Sequence, residues 1–375
     1  MDLNLSKEEE MLRRSARDFL TAECPSDLVR DMAEDEKGYP IELWNKMAGL
    51  GWLGLGVPEE YGGTGGNFLE LAVLLEEMGR ACLPGPFFSH TVLGASTIVE
   101  AGNERQKRDL LPKMADGESL FTLALAEEAA SYDPASIHVR AVQEGNNYVI
   151  NGTKLFVPDA HVANQVICVG RTGEDKAEDI SLLVVDTQTP GLSRTSLQTL
   201  AGNKLSEVVF DGVKVPQGNL LGGMNQGWRF MQKVLAKAAV GLCAQMVGAA
   251  QHAMDMAVEH SRGRVQFGQP VGSFQAVQFH CADMLTDVDG ARLITYQTAW
   301  KLSRDLPCAK DVSMAKAWVG EAYGRVVSRA HQVMGGLGIM NEYDMPLYSK
   351  RALTWQSGFG DTAFHREEIA RALGL

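Results

Sequence analysis

The eight histidines and six cysteines of this 375-residue chain never fall at metal-ligand spacing. HExxH is absent, no CxxC pair occurs, and Cys24, Cys82, Cys168, Cys243, Cys281 and Cys308 are scattered. Zinc sites and disulfide frameworks draw on closely spaced pairs. No metal site is therefore expected, and the cysteines are expected to be buried free thiols of a reducing compartment. GxSxG is absent and there is no Walker loop. The glycines of Met334-Gly335-Gly336-Leu337-Gly338 lie between helical segments, the wrong context for a strand-to-helix dinucleotide fingerprint. What remains is a set of unusual strings in a fixed order. Tyr39-Pro40-Ile41-Glu42-Leu43-Trp44 precedes Leu50-Gly51 and Val57-Pro58-Glu59-Glu60-Tyr61-Gly62-Gly63. Then come Asn151-Gly152-Thr153-Lys154 and Val208-Val209-Phe210-Asp211-Gly212-Val213-Lys214-Val215-Pro216. Arg264-Val265-Gln266-Phe267-Gly268-Gln269-Pro270 with Phe274-Gln275 follows, and Gln332-Val333-Met334-Gly335-Gly336 closes the series.

The elements that must position these strings follow from periodicity. Residues 1–117 read as helical: Ser6-Lys7-Glu8-Glu9 fits a capping box, and Phe68, Leu71, Leu75 and Met78 recur at helix spacing with Glu70, Glu76 and Glu77 off that face. Between them, the glycines and proline of Gly49–Gly63 keep the backbone irregular. Over residues 118–222 the period changes. Tyr148-Val149-Ile150, Asn151-Gly152 and Lys154-Leu155-Phe156-Val157 carry an Asn-Gly hairpin signal. Val166–Val169, Leu182–Val185 and Val208–Phe210 are short β-branched runs, so this stretch predicts a β-barrel or sandwich. Residues 223–375 are helical again, with an Ala- and Met-rich helix over Val234–Val258 of the kind that packs on other helices. The expected fold is α+β multidomain: an N-terminal helical domain, a middle β domain and a C-terminal helical domain.

Composition narrows the function. The chain is 45% hydrophobic and carries a formal net charge of −12. With only Lys107-Arg108 and Arg262-Gly263-Arg264 as basic clusters, it has no stripe to hold a phosphate backbone, so nucleic-acid binding is not expected. The acidic start, Met1–Glu10, lacks the apolar core of a leader. No uninterrupted apolar run approaches the ~18–20 residues of a membrane span. A cytoplasmic location is the expectation.

Six such strings in order resemble the acyl-CoA dehydrogenase family over almost the whole chain. The resemblance implies three domains ending in a four-helix bundle, FAD held between subunits, and a CoA thioester as substrate. It implies a carboxylate that removes the α-proton while the β-hydrogen leaves as hydride to the flavin. Hydrogen bonds to the thioester oxygen stabilise the developing enolate. It also implies an electron-transfer flavoprotein as electron acceptor.

Carried over residue by residue, the resemblance is uneven. In the half of the FAD site that one subunit lends to its neighbour, Arg264, Phe267 and Gln275 match, as do Gln332, Gly335 and Gly336. An arginine fork suits a diphosphate, and paired glycines let backbone N–H groups approach it. The accepting half departs from the pattern. Ala126-Glu127-Glu128-Ala129-Ala130-Ser131-Tyr132-Asp133 stands where the family has Thr-Glu-Pro-x-Ala-Gly-Ser-Asp. Against the flavin, Phe156 could stack on the ring, but Pro158 offers neither a hydroxyl nor an N–H. Phe359 stands where the family has its proton-abstracting glutamate. Ala238, on the long helix, occupies the other place where some members carry the base, followed by Ala239. Asp361 is the nearby carboxylate, with helix N-cap as its other role. Gly358-Phe359-Gly360-Asp361 resembles the ending of small-subunit-type members, such as the small subunit of pimeloyl-CoA dehydrogenase.

These matches lead to the expectation of one subunit of an acyl-CoA dehydrogenase heterotetramer whose partner supplies the glutamate. It would act in fatty acid or steroid side-chain β-oxidation. A self-sufficient homotetramer with Asp361 as base, and a non-catalytic scaffold or regulatory protein with the family fold, are the alternatives.

Overall fold

The computed structural model describes residues 5–173 and 179–375; Met1–Asn4, part of the acidic start, lie outside them. Among the described residues the helices are α1 (Lys7–Glu23), α2 (Ser26–Glu34), α3 (Ile41–Gly49), α4 (Phe68–Arg80), α5 (Ser96–Ala101), α6 (Glu104–Ala115), α7 (Gly227–Gly263), α8 (Gln275–Ser303), α9 (Ala309–Met334), α10 (Met345–Trp355) and α11 (Thr362–Ala372). The strands are β1 (Phe121–Ala124), β2 (Arg140–Glu144), β3 (Asn147–Pro158), β4 (Gln165–Arg171), β5 (Ile180–Asp186), β6 (Leu192–Leu197), β7 (Leu205–Pro216), β8 (Leu220–Leu221), β9 (Val265–Gln266) and β10 (Gln269–Pro270). Helices, then strands, then helices is the order that periodicity predicts. The chain forms two compact units, one of 1–30, 68–83 and 239–375, the other of 31–67 and 84–238.

The first unit is helical. Ser6 opens α1 as expected: its side chain accepts from the Glu9 amide while Glu9 returns a bond to the Ser6 amide. Helix α4 departs from the predicted one-sided pattern, because it is buried from Leu71 to Gly79, Glu76 and Glu77 included. Arginines make that burial tolerable: Arg17 meets Glu77 at 2.7 Å and Arg292 meets Glu76 at 3.2 Å. Helices α4 and α7 touch backbone to backbone through two glycines. A Cβ on Gly248 would lie 1.8 Å from the Glu76 carbonyl oxygen, and one on Gly79 would lie 2.0 Å from that of Gln245. Helix α7 is long and apolar enough to cross a membrane, unlike the sequence expectation. Yet 72% of its apolar window is buried within the protein, as in a core helix.

The second unit is built on an eight-stranded sheet of order β6-β7-β3-β2-β4-β5-β8, with β1 parallel to β4. Tyr148, Ile150, Cys168, Val208 and Phe210 fill its core. The Asn151-Gly152 pair does not turn the chain. Strand β3 runs straight through it, and the hairpin to β2 closes one turn earlier, at Gly145-Asn146. Gly152 instead pairs with Phe210 at φ +130°, just after a bulge in which Asp211 and Gly212 of β7 stand opposite the single residue Asn151. Its bare Cα faces the Val139 backbone, 3.1 Å from where a Cβ would stand. The Asn-Gly signal reports a need for positive φ, which a bulge shares with a turn.

Candidate functional site

In the helical unit, three of the predicted site residues are brought together by one short hairpin. Helix α7 ends at Gly263, Arg264 begins the return, and β9 pairs with β10 around Phe267-Gly268. Both turn residues have positive φ, +55° and +79°, as a two-residue hairpin turn requires. Glycine meets that demand without strain. Phenylalanine does not, and its ring is 93% exposed, edge-on to Phe274. Arg264 is exposed and has no ion pair among the described residues. Gln275, the first residue of α8, is exposed beside them.

Gln332, Gly335 and Gly336 sit at the end of α9. Helices α8 and α9 run antiparallel, in a register fixed by Lys301–Asp311 at 2.6 Å, Arg325–Asp287 at 2.6 Å and Arg329–Asp283 at 3.3 Å. That register brings the Gln332–Gly336 turn level with Gln275. Gly335 has φ +61°, and a Cβ at either Gly335 or Gly336 would meet nothing within 4 Å. The backbone there is open to a ligand. An unpaired guanidinium, a displayed aromatic ring and an open glycine turn fit the diphosphate and adenine side of FAD.

The same unit contains the loop at the family's base position. Phe359 is only partly exposed, with φ +57°, and its carbonyl oxygen bonds His365 Nε2 at 3.0 Å. Lys316, fully buried on α9, donates to the carbonyl oxygens of Gln356 at 2.8 Å and Gly360 at 2.9 Å. Burial pushes its ammonium down to about 8, against the opposing influence of Cys243 and Asp361. Asp361 is the N-cap of α11, its carboxylate accepting the Phe364 amide at 2.8 Å. Ala239, at the start of this unit's share of α7, is buried.

The second unit holds the rest. Phe156 is 48% exposed at φ +55°. Its segment is tied down on two sides: Leu155 donates to the Ala126 carbonyl oxygen at 2.9 Å, and Thr122 Oγ1 to that of Pro158 at 2.5 Å. A hydroxyl spent on Pro158 and a proline without an N–H leave little here for a flavin edge. Ala238, the other place for a base, is buried hydrocarbon. The key to the preceding loop is a buried pair that local patterning does not reveal. Lys154 Nζ lies 2.7 Å from Glu127 Oε1 and also donates to the Leu125 carbonyl oxygen, while Glu127 accepts the amides of His138 and Val139. The sequence offered Lys154 within a named string, but its partner is 27 residues away.

Among the described residues no group of acidic, histidine or cysteine side chains could hold a metal ion. Cys24, Cys82, Cys168 and Cys243 are buried, and Cys281 and Cys308 partly so. Burial pushes the thiols of Cys24, Cys168 and Cys243 up to about 12, which makes them inert at neutral pH.

The element order along the chain is helical, then β, then helical. Residues 6–118, 122–213 and 225–374 match, in turn, the family models of the acyl-CoA dehydrogenase N-terminal, middle and C-terminal domains. The chain belongs to the acyl-CoA dehydrogenase family, whose members are FAD-dependent flavin oxidoreductases. It is 36% identical to the probable acyl-CoA dehydrogenase YngJ of Bacillus subtilis (strain 168), covering 100% of both chains. It is 30% identical to the caffeyl-CoA reductase-Etf complex subunit CarC of Acetobacterium woodii, over 90% of each. The solved butyryl-CoA dehydrogenase of Megasphaera elsdenii superposes with a TM-score of 0.92 at 29% identity, covering 100% of both.

Proposed function

We propose that this chain is one subunit of an FAD-dependent acyl-CoA dehydrogenase that introduces an α,β double bond into a CoA thioester. A partner subunit of the same family supplies the proton-abstracting glutamate. The observation that carries this reading is the fate of the one acid near the base position: Asp361 caps α11 and points its carboxylate at the Phe364 amide. Phe359, Ala238 and Ala239 offer only hydrocarbon, which cannot remove a proton. Bound FAD would supply the hydride-accepting chemistry for the β-hydrogen. Arg264, Phe267, Gln275, Gln332 and the Gly335-Gly336 turn would hold its adenine and diphosphate side, and Phe156 would offer a ring to stack on.

The full reading is a tetramer of domains 1–117, 118–222 and 223–375, of the small-subunit type, in the cytoplasm. Its substrates are fatty acyl or steroid side-chain thioesters, and its electrons pass to an electron-transfer flavoprotein. The likeness to a relative that works in an Etf complex supports this last step. To test the proposal, the chain is expressed alone and together with the acyl-CoA dehydrogenase chain encoded beside it. Flavin absorbance and dye-coupled oxidation of acyl-CoA should appear with the pair. Full flavin occupancy and turnover by the chain alone, lost in Asp361→Asn, would reject the heteromer in favour of a self-sufficient homotetramer.

A further inference from the structure

Asp159, one residue beyond the end of β3, is a buried carboxyl that the proposed function does not use. Its backbone is left-handed, at φ +52°, where Asp and Asn are tolerated better than most residues. Among the described residues its carboxyl has one hydrogen-bond partner, Ser89 Oγ, at 2.5 Å from Oδ2. Ser89 lies in a π-helical segment, Phe88–Ala95, within the same unit. Its hydroxyl is also 3.0 Å from the carbonyl oxygen of Pro86.

Counting protons makes this arrangement specific. A serine hydroxyl has one proton to give, and a carbonyl oxygen can only accept. If Ser89 donates to Pro86, the short contact to Asp159 needs a second proton, and only the Asp159 carboxyl can carry it. If Asp159 is ionised, Ser89 must turn its proton to the carboxylate, leaving two oxygen lone pairs facing each other at Pro86. The anion is then buried with one hydrogen bond and no cation, a costly state.

The charged and titratable groups around it do not relieve that cost. Lys204 Nζ is occupied by the Ala33 carbonyl oxygen, and Arg194 donates to the carbonyl oxygens of Ala160, His161 and Ala163. His161 is held below its usual range by burial, with Lys204 and Arg194 adding to the effect. His90, in the π-helical segment, is pushed down to about 4 by burial and is tied to the Met114 carbonyl oxygen and the Phe121 amide. The Tyr39 phenol is raised by burial and by Asp159 itself.

We propose that Asp159 and Ser89 form a proton-operated latch: protonated, Asp159 pins the end of β3 to the π-helical segment; ionised, it loosens the segment that carries Phe156. The proposal goes beyond the catalytic reading and does not depend on flavin occupancy or on a partner subunit.

The direction of the pH effect follows. Burial raises the Asp159 carboxyl from 3.8 to about 6, with the Ser89 bond opposing. A carboxyl raised on folding contributes stability that is intact below its unfolded value and is lost as pH climbs through the folded one. The buried histidines act with the opposite sign: His90, His252 and His365, each lowered to about 4, cost stability on acidification. The latch is therefore read as a difference between variants.

The test compares melting temperatures of the full chain, wild type and Asp159→Asn, from pH 4.5 to 7.5. Asparagine keeps the left-handed backbone and offers Ser89 an N–H in place of the acid's O–H. The two proteins should melt much closer together at pH 4.5 than at pH 7.5, where the variant should melt several degrees higher. Amide exchange over residues 155–163, corrected for its intrinsic pH dependence, should quicken with pH in the wild type and not in the variant. A constant melting difference, or a variant that melts lower at pH 7.5, would overturn the latch. Should Asp159→Asn fail to fold, Ser89→Ala gives the same decision. Its melting deficit should widen with pH, because the anion loses its only donor, and a pH-independent deficit would overturn the idea.

Discussion

Lys154 and Glu127 show how one pair of side chains organises a loop that departs from the family string. The lysine is fully buried and the glutamate nearly so. Desolvation depresses the lysine ammonium, and the electrostatic influence of Cys168 and the hydrogen-bonded Glu127 carboxylate oppose it. Breaking such a pair by removing one partner strands a buried charge. Glu127→Gln should therefore cost about 3–5 kcal/mol, measured as a fall in the urea midpoint. Glu127→Gln with Lys154→Met should recover part of that loss, because no unpaired ammonium remains. A single variant within 1 kcal/mol of wild type, a value below the ~3–5 kcal/mol range, would show that the pair is not what holds this loop.

Between elements, the crossing of α4 and α7 at Gly248 leaves no room for a Cβ. Gly248→Ala would set a methyl group 1.8 Å from the Glu76 carbonyl oxygen and 2.9 Å from the Arg80 amide nitrogen, so the two helices must separate. The loss should be about 3 kcal/mol or more, from overpacking against backbone that cannot rotate aside. Gly49→Ala, with nothing within 4 Å of the new Cβ, is the control and should be neutral or slightly stabilising. Equal effects at the two positions would contradict the close crossing.

What could be read from the sequence divides along the same line between local and distant causes. The α1 capping box, the strands around Val166, Leu182 and Val208, and the long helix through Val234–Val258 all rest on neighbours within a few residues. All appear in the structure. Glu76 and Glu77 were expected outside because their arginine partners lie 216 and 60 residues away, respectively. Gly152 was read as a turn because local sequence does not say whether a second strand runs alongside. At the candidate site, the ordered strings drew attention to Arg264, Phe267 and the Gln332–Gly336 turn, whose role there is the proposal made above. The lysine clamp from Lys316 onto the loop after α10 spans 40 and 44 residues and left no local trace.

For the whole molecule, the grips for a dinucleotide and the acid needed beside a thioester are unequally supplied. Arg264 and Phe267 face outward from their hairpin, exposed as the proposed hold on FAD requires. The position for a base offers Phe359, and Asp361 already caps a helix. The most direct measurement of this imbalance follows the α-protons of a saturated acyl-CoA in D2O by NMR, a readout of proton abstraction separate from electron transfer. The lone chain should leave the α-protons in place, and the chain with its partner should exchange them for deuterium. Exchange catalysed by the lone chain and abolished in Asp361→Asn would contradict the account.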